Sequence, residues 1–148
     1  MPLEPLRLLP ACLAALFAAA PATAAPVPSS PEEALEAYVG GLRSGRVELL
    51  QGLFLPDGQF CTLAADKTPA VDCQRFADVI GSWAAEPDPA ATGRVLDRHD
   101  AAPSMSAVTY ELHFAGDRYV DQLLLYRTPA GWRVVAKTTT VSPENGAQ

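Results

Sequence analysis

The chain is short of the residue patterns that announce a reaction. It has no Gly-x-Ser-x-Gly elbow to present a nucleophilic serine and no glycine-rich loop to cradle a phosphate. Cys-x-x-Cys and His-x-x-x-His spacings are missing as well, so no tetrahedral metal shell can be assembled from a local motif. Nothing in the sequence calls for a cofactor. Basic residues are few and scattered, 11 Lys and Arg against 17 Asp and Glu for a net charge of −6. Polyanion binding needs clustered cations, which removes DNA, RNA and anionic lipid surfaces as partners. No apolar run reaches the roughly 20 residues that a membrane-crossing helix requires.

What is there begins with a leader. Arg7 precedes the apolar run 8–20, and Ala22-Thr23-Ala24 supplies the small-x-small pattern that a signal peptidase cuts. Leu9-Pro10-Ala11-Cys12 is a poor lipoprotein box, because Cys12 lies ahead of most of the apolar run instead of behind it. The predicted organisation is a signal peptide over 1–24, a flexible stub over 25–29, one domain over 30–141 and a flexible tail over 142–148. The expected address is the periplasm or the exterior, with no membrane attachment after cleavage. About 120 residues then remain, enough for a single core. Cleavage also reduces the cysteines from three to two, Cys61 and Cys73. In an oxidising compartment a disulfide between them is expected, closing a loop of about a dozen residues worth somewhat under 3 kcal/mol. Two free buried thiols are the alternative.

Ser30-Pro31-Glu32-Glu33 reads as a capping box with proline at the first helical position, and Leu35, Tyr38, Val39 and Leu42 follow at helical spacing up to a stop at Gly45. A second helix carries Val47, Leu50, Leu53 and Phe54 on one face before Pro56-Asp57-Gly58 breaks it. Residues 59–62 suit a short strand and 63–71 a loop, after which Asp72 is expected to cap a helix that buries Phe76, Val79, Ile80 and Trp83. From residue 92 the period becomes alternating, predicting antiparallel strands over 92–97, 106–114, 118–127 and 132–141. Helices first and a meander last make an α+β fold, with the helices covering one face of an antiparallel sheet.

These residues carry a family resemblance. The run 34–45, ALEAYVGGLRSG, followed by Leu53-Phe54-Leu55-Pro56-Asp57-Gly58, resembles the paired opening helices of the nuclear transport factor 2-like superfamily, which has a cystatin-like fold. The ending, 118–125 RYVDQLLL and 131–137 GWRVVAK, is most similar to the branch labelled lumazine-binding. The resemblance implies a strongly curved sheet wrapped round the first helix as a cone, a cavity between them, and a homodimer packed through the sheets. It implies no single activity, since the superfamily includes isomerases, dehydratases, hydrolases and binding modules.

Candidate cavity residues from the helices are Tyr38, Leu42, Phe54, Phe76, Ile80 and Trp83, which a filled core would use equally well. The polar candidates depend on the turn at 128–131. A type I turn completed by a left-handed Gly131 sets Thr128 opposite Trp132 and Leu123 opposite Lys137, leaving Asp121 and Lys137 as diagonal neighbours on one face. Facing inward they can hold a polar ligand group or move a proton; facing outward they form a surface ion pair. A two-residue turn separates them. His113 falls on the more polar face of its strand, and His99 and Asp100, as adjacent strand residues, point to opposite faces. No residue is assigned a catalytic role. The expected function is a non-enzymatic module that binds a small molecule through Tyr38, Trp83, Asp121 and Lys137. The alternatives are an isomerase-, dehydratase- or hydrolase-type enzyme with Asp121 as base, or a dimeric protein-interaction module.

Overall fold

The computed structural model describes residues 27–63 and 71–143. The predicted signal peptide, the interior of the 63–71 loop and the end of the C-terminal tail lie outside the described residues. Helix α1, Pro31–Ser44, starts where the capping signal places it: Ser30 Oγ accepts the Glu33 N–H at 3.2 Å. The Glu33 carboxylate turns back one residue further than in an ordinary capping box, accepting the Ser29 N–H at 2.7 Å and its hydroxyl at 2.9 Å. The backbone bond from Ser29 holds the Glu33 carboxyl below its usual range. The buried face of α1 is Ala34, Leu35, Tyr38, Val39 and Leu42, and Gly45 ends the helix in the left-handed region. Helix α2, Val47–Leu53, follows, and α3, Phe76–Ala85, completes the helical layer.

Among the described residues six strands form one sheet in the order β2-β1-β6-β5-β4-β3. They are β1 Phe54–Leu63, β2 Val71–Arg75, β3 Thr92–Ala102, β4 Met105–Phe114, β5 Asp117–Thr128 and β6 Gly131–Pro143. All neighbours are antiparallel except β1 and β6, which run parallel. The architecture is the α+β arrangement expected, helices on one face of a sheet. Its core lies between them, where the fully buried rings of Phe54 and Phe76 meet with centroids 4.7 Å apart. Full burial of one such ring contributes roughly 1.5–3 kcal/mol.

Local expectations fail where the chain passes from helices to sheet. Phe54 was expected on the second helix, yet it opens β1, because Pro56 drives the residue before it into extended backbone. Asp72 was expected to cap a helix; it lies instead in β2 opposite Thr62, and α3 begins four residues later after an extended Arg75. The disulfide explains the difference. Cys61 and Cys73 face each other across β1 and β2 with Cα atoms 4.1 Å apart, so the covalent link and its flanking ladder outcompete a cap at Asp72. Gly58 sits where a Cβ would come within 2.5 Å of the Val135 carbonyl oxygen, a close approach that no other residue permits.

The N-terminal approach to α1 touches the far end of the molecule. Trp132 N–H donates to the Pro28 carbonyl at 3.0 Å, and Val27 and Pro28 lie against Gly131, whose φ of +88° suits the β5–β6 turn.

Candidate functional site

The site is built by the β5–β6 hairpin, and its register corrects the expectation. Thr128 pairs with Gly131 and Arg127 with Trp132, so the turn holds two residues, Pro129 and Ala130. Thr128 tightens it by accepting the Ala130 N–H at 3.1 Å and donating to the Gly131 carbonyl at 2.8 Å. Continued without interruption, that register would set Lys137 opposite Gln122 and aim it away from Asp121. A β-bulge intervenes. Leu125 pairs with Val134 but Leu124 pairs with Ala136, so Val135 is one residue extra in β6. Beyond the bulge Leu123 faces Lys137 and Asp121 faces Thr139, the arrangement expected from the longer turn.

The shared face points inward, toward the helices. Lys137 Nζ lies 3.1 Å from Asp121 Oδ2, with the two side chains 4% and 0% exposed. The contact is short enough for an ion pair but off-axis for a hydrogen bond: both Asp121 oxygens are buried without an aligned donor among the described residues. Three aromatic rings surround the ammonium, with centroids 5.1 Å away for Phe60 and Trp83 and 5.5 Å for Tyr38, within cation–π range. The result is a charge desolvated on most sides, held by one carboxylate and three ring faces.

A cavity of about 80 Å³ opens onto this group. Its floor is Tyr38, Leu42, Leu112, Lys137 and Thr139, and its mouth is formed by Phe60, Trp83, Phe114 and Tyr119. Asp121 stands behind Lys137 and does not line the cavity. Burial, reinforced by the negative Asp121, raises the Tyr38 phenol well above its ordinary pKa. Tyr110, directly across the strand pair from Asp121, is raised by burial and by Tyr38. Burial also raises Tyr119. All three phenols therefore remain protonated near neutrality.

Of the ligand candidates read from the sequence, Tyr38, Trp83 and Lys137 converge on one cavity and Asp121 supports it from behind. Leu42 lines the floor as expected, while Phe54, Phe76 and Ile80 belong to the core. Residue reading missed Phe60, Leu112, Phe114, Tyr119 and Thr139. The strand alternation that places Tyr110, Leu112 and Phe114 on one face of β4 could have found two of them.

The opposite face of the sheet carries a second buried carboxylate. Glu111 accepts Arg94 Nε at 2.7 Å on Oε1 and Arg118 Nε at 2.8 Å on Oε2, with His113 Nε2 3.6 Å from Oε1. The hydrogen bonds from Arg94 and Arg118 lower its pKa to about 2. His99 lies in β3 opposite Ala107, while Asp100 bonds Arg98 with its two oxygens, so the adjacent pair does not act together. Among the described residues no group of three or more His, Cys, Asp or Glu is placed to hold a metal.

Residues 29–139 match the model of a protein family described as "putative lumazine-binding". A search of curated proteins found no match. Among solved structures the chain is similar to an NTF2-like protein of unknown function from Shewanella baltica OS155, with TM-score 0.65 and 16% identity, covering 76% of this chain and 90% of that one. Another is an NTF2-like protein of unknown function from Methylobacillus flagellatus KT, with TM-score 0.63 and 20% identity over 75% of this chain and 88% of the other. The CaMKII hub of S. rosetta shares the fold at TM-score 0.54 and 13% identity, over 78% of this chain and all of the hub.

Proposed function

Because the chain belongs to the putative lumazine-binding family of NTF2-like domains, we propose that it is an exported module that holds a small molecule by a polar group seated on Lys137. One observation carries the reading. A lysine is buried at the floor of an aromatic cavity with an aspartate packed behind it, yet among the described residues the aspartate oxygens have no aligned donor. A pair kept only for packing would be expected to satisfy its hydrogen bonds, since an unmet buried acceptor costs about 1–3 kcal/mol. The ammonium, with three donors and one acceptor nearby, has bonds to offer a ligand.

The cavity limits the occupant. Its volume of about 80 Å³ is well below the roughly 300–1,000 Å³ of sites that enclose drug-sized ligands, so only a small headgroup fits beside Lys137. Any apolar remainder would leave through the mouth bounded by Phe60, Trp83, Phe114 and Tyr119. A bicyclic ring such as lumazine would have to spread those side chains apart. The disulfide at Cys61 and Cys73 supports an oxidising destination, in keeping with the predicted leader. A second copy packed through the sheets remains part of the proposal, with Val120, Leu124 and Tyr126 on the outer face available to it; sedimentation velocity at micromolar concentration tests it, and a purely monomeric boundary refutes it.

The binding reading is tested by thermal shift and NMR titration with a panel of small polar metabolites, together with native mass spectrometry of protein purified from its own host. Stabilisation that moves Trp83 and Tyr38 signals and disappears in Lys137→Met supports it. No co-purified ligand and no shift across the panel contradicts it.

A further inference from the structure

Histidines aside, every described basic side chain other than Lys137 is an arginine, and the whole chain has only two lysines, Lys67 and Lys137. Among the described residues, the one buried cationic position is thus a lysine. Guanidinium would keep the charge and offer a better fork to a carboxylate, but it is never a nucleophile. A primary amine in an apolar pocket beside a proton acceptor is the arrangement that amine chemistry on carbonyls requires.

From this juxtaposition of Lys137, Asp121 and the small aromatic cavity, we propose that Lys137 captures small aldehydes or ketones as a reversible protonated imine, with Asp121 carrying the protons. The inference rests on the cavity being a ligand site, as argued above. Rotation of the Lys137 ammonium aligns an N–H with Asp121 Oδ2, 3.1 Å away, and the proton passes across, freeing the nitrogen lone pair. The lone pair attacks the carbonyl carbon and a C–N bond forms, which sets the carbonyl oxygen two bonds from Nζ and so within reach of Asp121 behind it, from which it takes the proton. Asp121 then accepts a second Nζ proton and delivers it to the carbinol oxygen, which departs as water while the C=N bond forms. Of the three ammonium protons, two leave with the oxygen and one stays on nitrogen. No oxidant or reductant takes part, and addition of water reverses the sequence.

The charge balance suits a dry site. The product is a cation where the ammonium was, so the buried carboxylate faces a positive nitrogen before and after capture and is never left unpaired. The Phe60, Trp83 and Tyr38 rings that surround the ammonium surround the iminium equally well. The volume of about 80 Å³ restricts the substituents on the carbonyl carbon to a few heavy atoms, unless a longer chain exits by the mouth.

The experiment is reductive trapping. The protein carrying Lys67→Arg is incubated with acetaldehyde and sodium cyanoborohydride, and peptide mapping locates the ethyl groups; Lys137 and the α-amine are then the only primary amines. The expected result is saturable alkylation of Lys137 that acetamide, a carbonyl compound unable to form an imine, slows without affecting the α-amine. Asp121→Asn should reduce trapping at Lys137 by about 100-fold, the scale of general acid–base assistance, with the α-amine unchanged. Should that variant fail to fold, acetamide competition in otherwise unaltered protein decides the matter. Alkylation confined to the α-amine, with Lys137 reacting only in urea, overturns the inference. In that outcome, acetamide-induced NMR shifts at Trp83 and Tyr38 would leave the binding reading standing, and their absence would remove both.

Discussion

Two carboxylates are buried in the same sheet, on opposite faces, and they are treated differently. Glu111 on the outer face has both oxygens occupied by guanidinium groups from the strands on either side, and its pKa is depressed to about 2. Asp121 on the inner face, one strand away, has an ammonium at 3.1 Å and no aligned donor to either oxygen. The first is a closed arrangement that ties β3, β4 and β5 together. In the second, Lys137 faces a cavity while Asp121 stands behind it. Saturated hydrogen bonding marks Glu111 as structural, and the unmet capacity at Asp121 and Lys137 is what the proposed ligand reading rests on.

The comparison predicts unequal responses to substitution. Asp121→Ala strands a desolvated ammonium and should cost about 3–5 kcal/mol in denaturant unfolding, the largest effect of any single change at either carboxylate. A loss below about 1 kcal/mol would mean that solvent reaches Lys137 freely and the pair is not a buried one. Glu111→Gln acts chiefly through pH. The folded-state pKa lies below the unfolded value of roughly 4.3, so the contribution of Glu111 is fully present above that value and is lost as pH falls toward about 2. Unfolding midpoints measured between those limits should fall less steeply in the variant; equal slopes would show that the arginines do not hold the carboxylate in solution. Arg94→Ala should have the smallest effect, because Arg118 keeps its contacts with Oε2 and Arg94 is itself largely exposed. If it destabilises as much as Asp121→Ala, the outer cluster is not the redundant arrangement described.

The layers of the fold were legible in the sequence because they rest on local rules. The Ser30 cap, the Gly45 stop and the alternation of β4 and β5 are each written within a few neighbouring residues. The path of β1 and β2 was not, since Asp72 carries a plausible cap signal and only the cross-strand disulfide shows why an extended strand prevails there. The candidate site was legible for an incomplete reason. Asp121 and Lys137 share a face, but the turn expected to bring them together is one residue shorter, and the Val135 bulge makes up the difference. A bulge has no compositional signature in Arg133-Val134-Val135-Ala136; it arises where β6 is flanked by β5 on one side and by the irregular start of β1 on the other. The aromatic mouth was missed in part because Phe60 and Tyr119 join it only through long-range strand pairing.

The central claim is that the inner pair is kept for a ligand and not for stability. Equilibrium unfolding of the double variant Lys137→Met, Asp121→Leu tests it most directly, since replacing both charges removes the pair without leaving either one stranded. The account predicts stability within about 1 kcal/mol of the parent, or above it, together with loss of every ligand response at the cavity. A double variant that remains several kcal/mol less stable would show that the pair holds the fold together and would contradict the account.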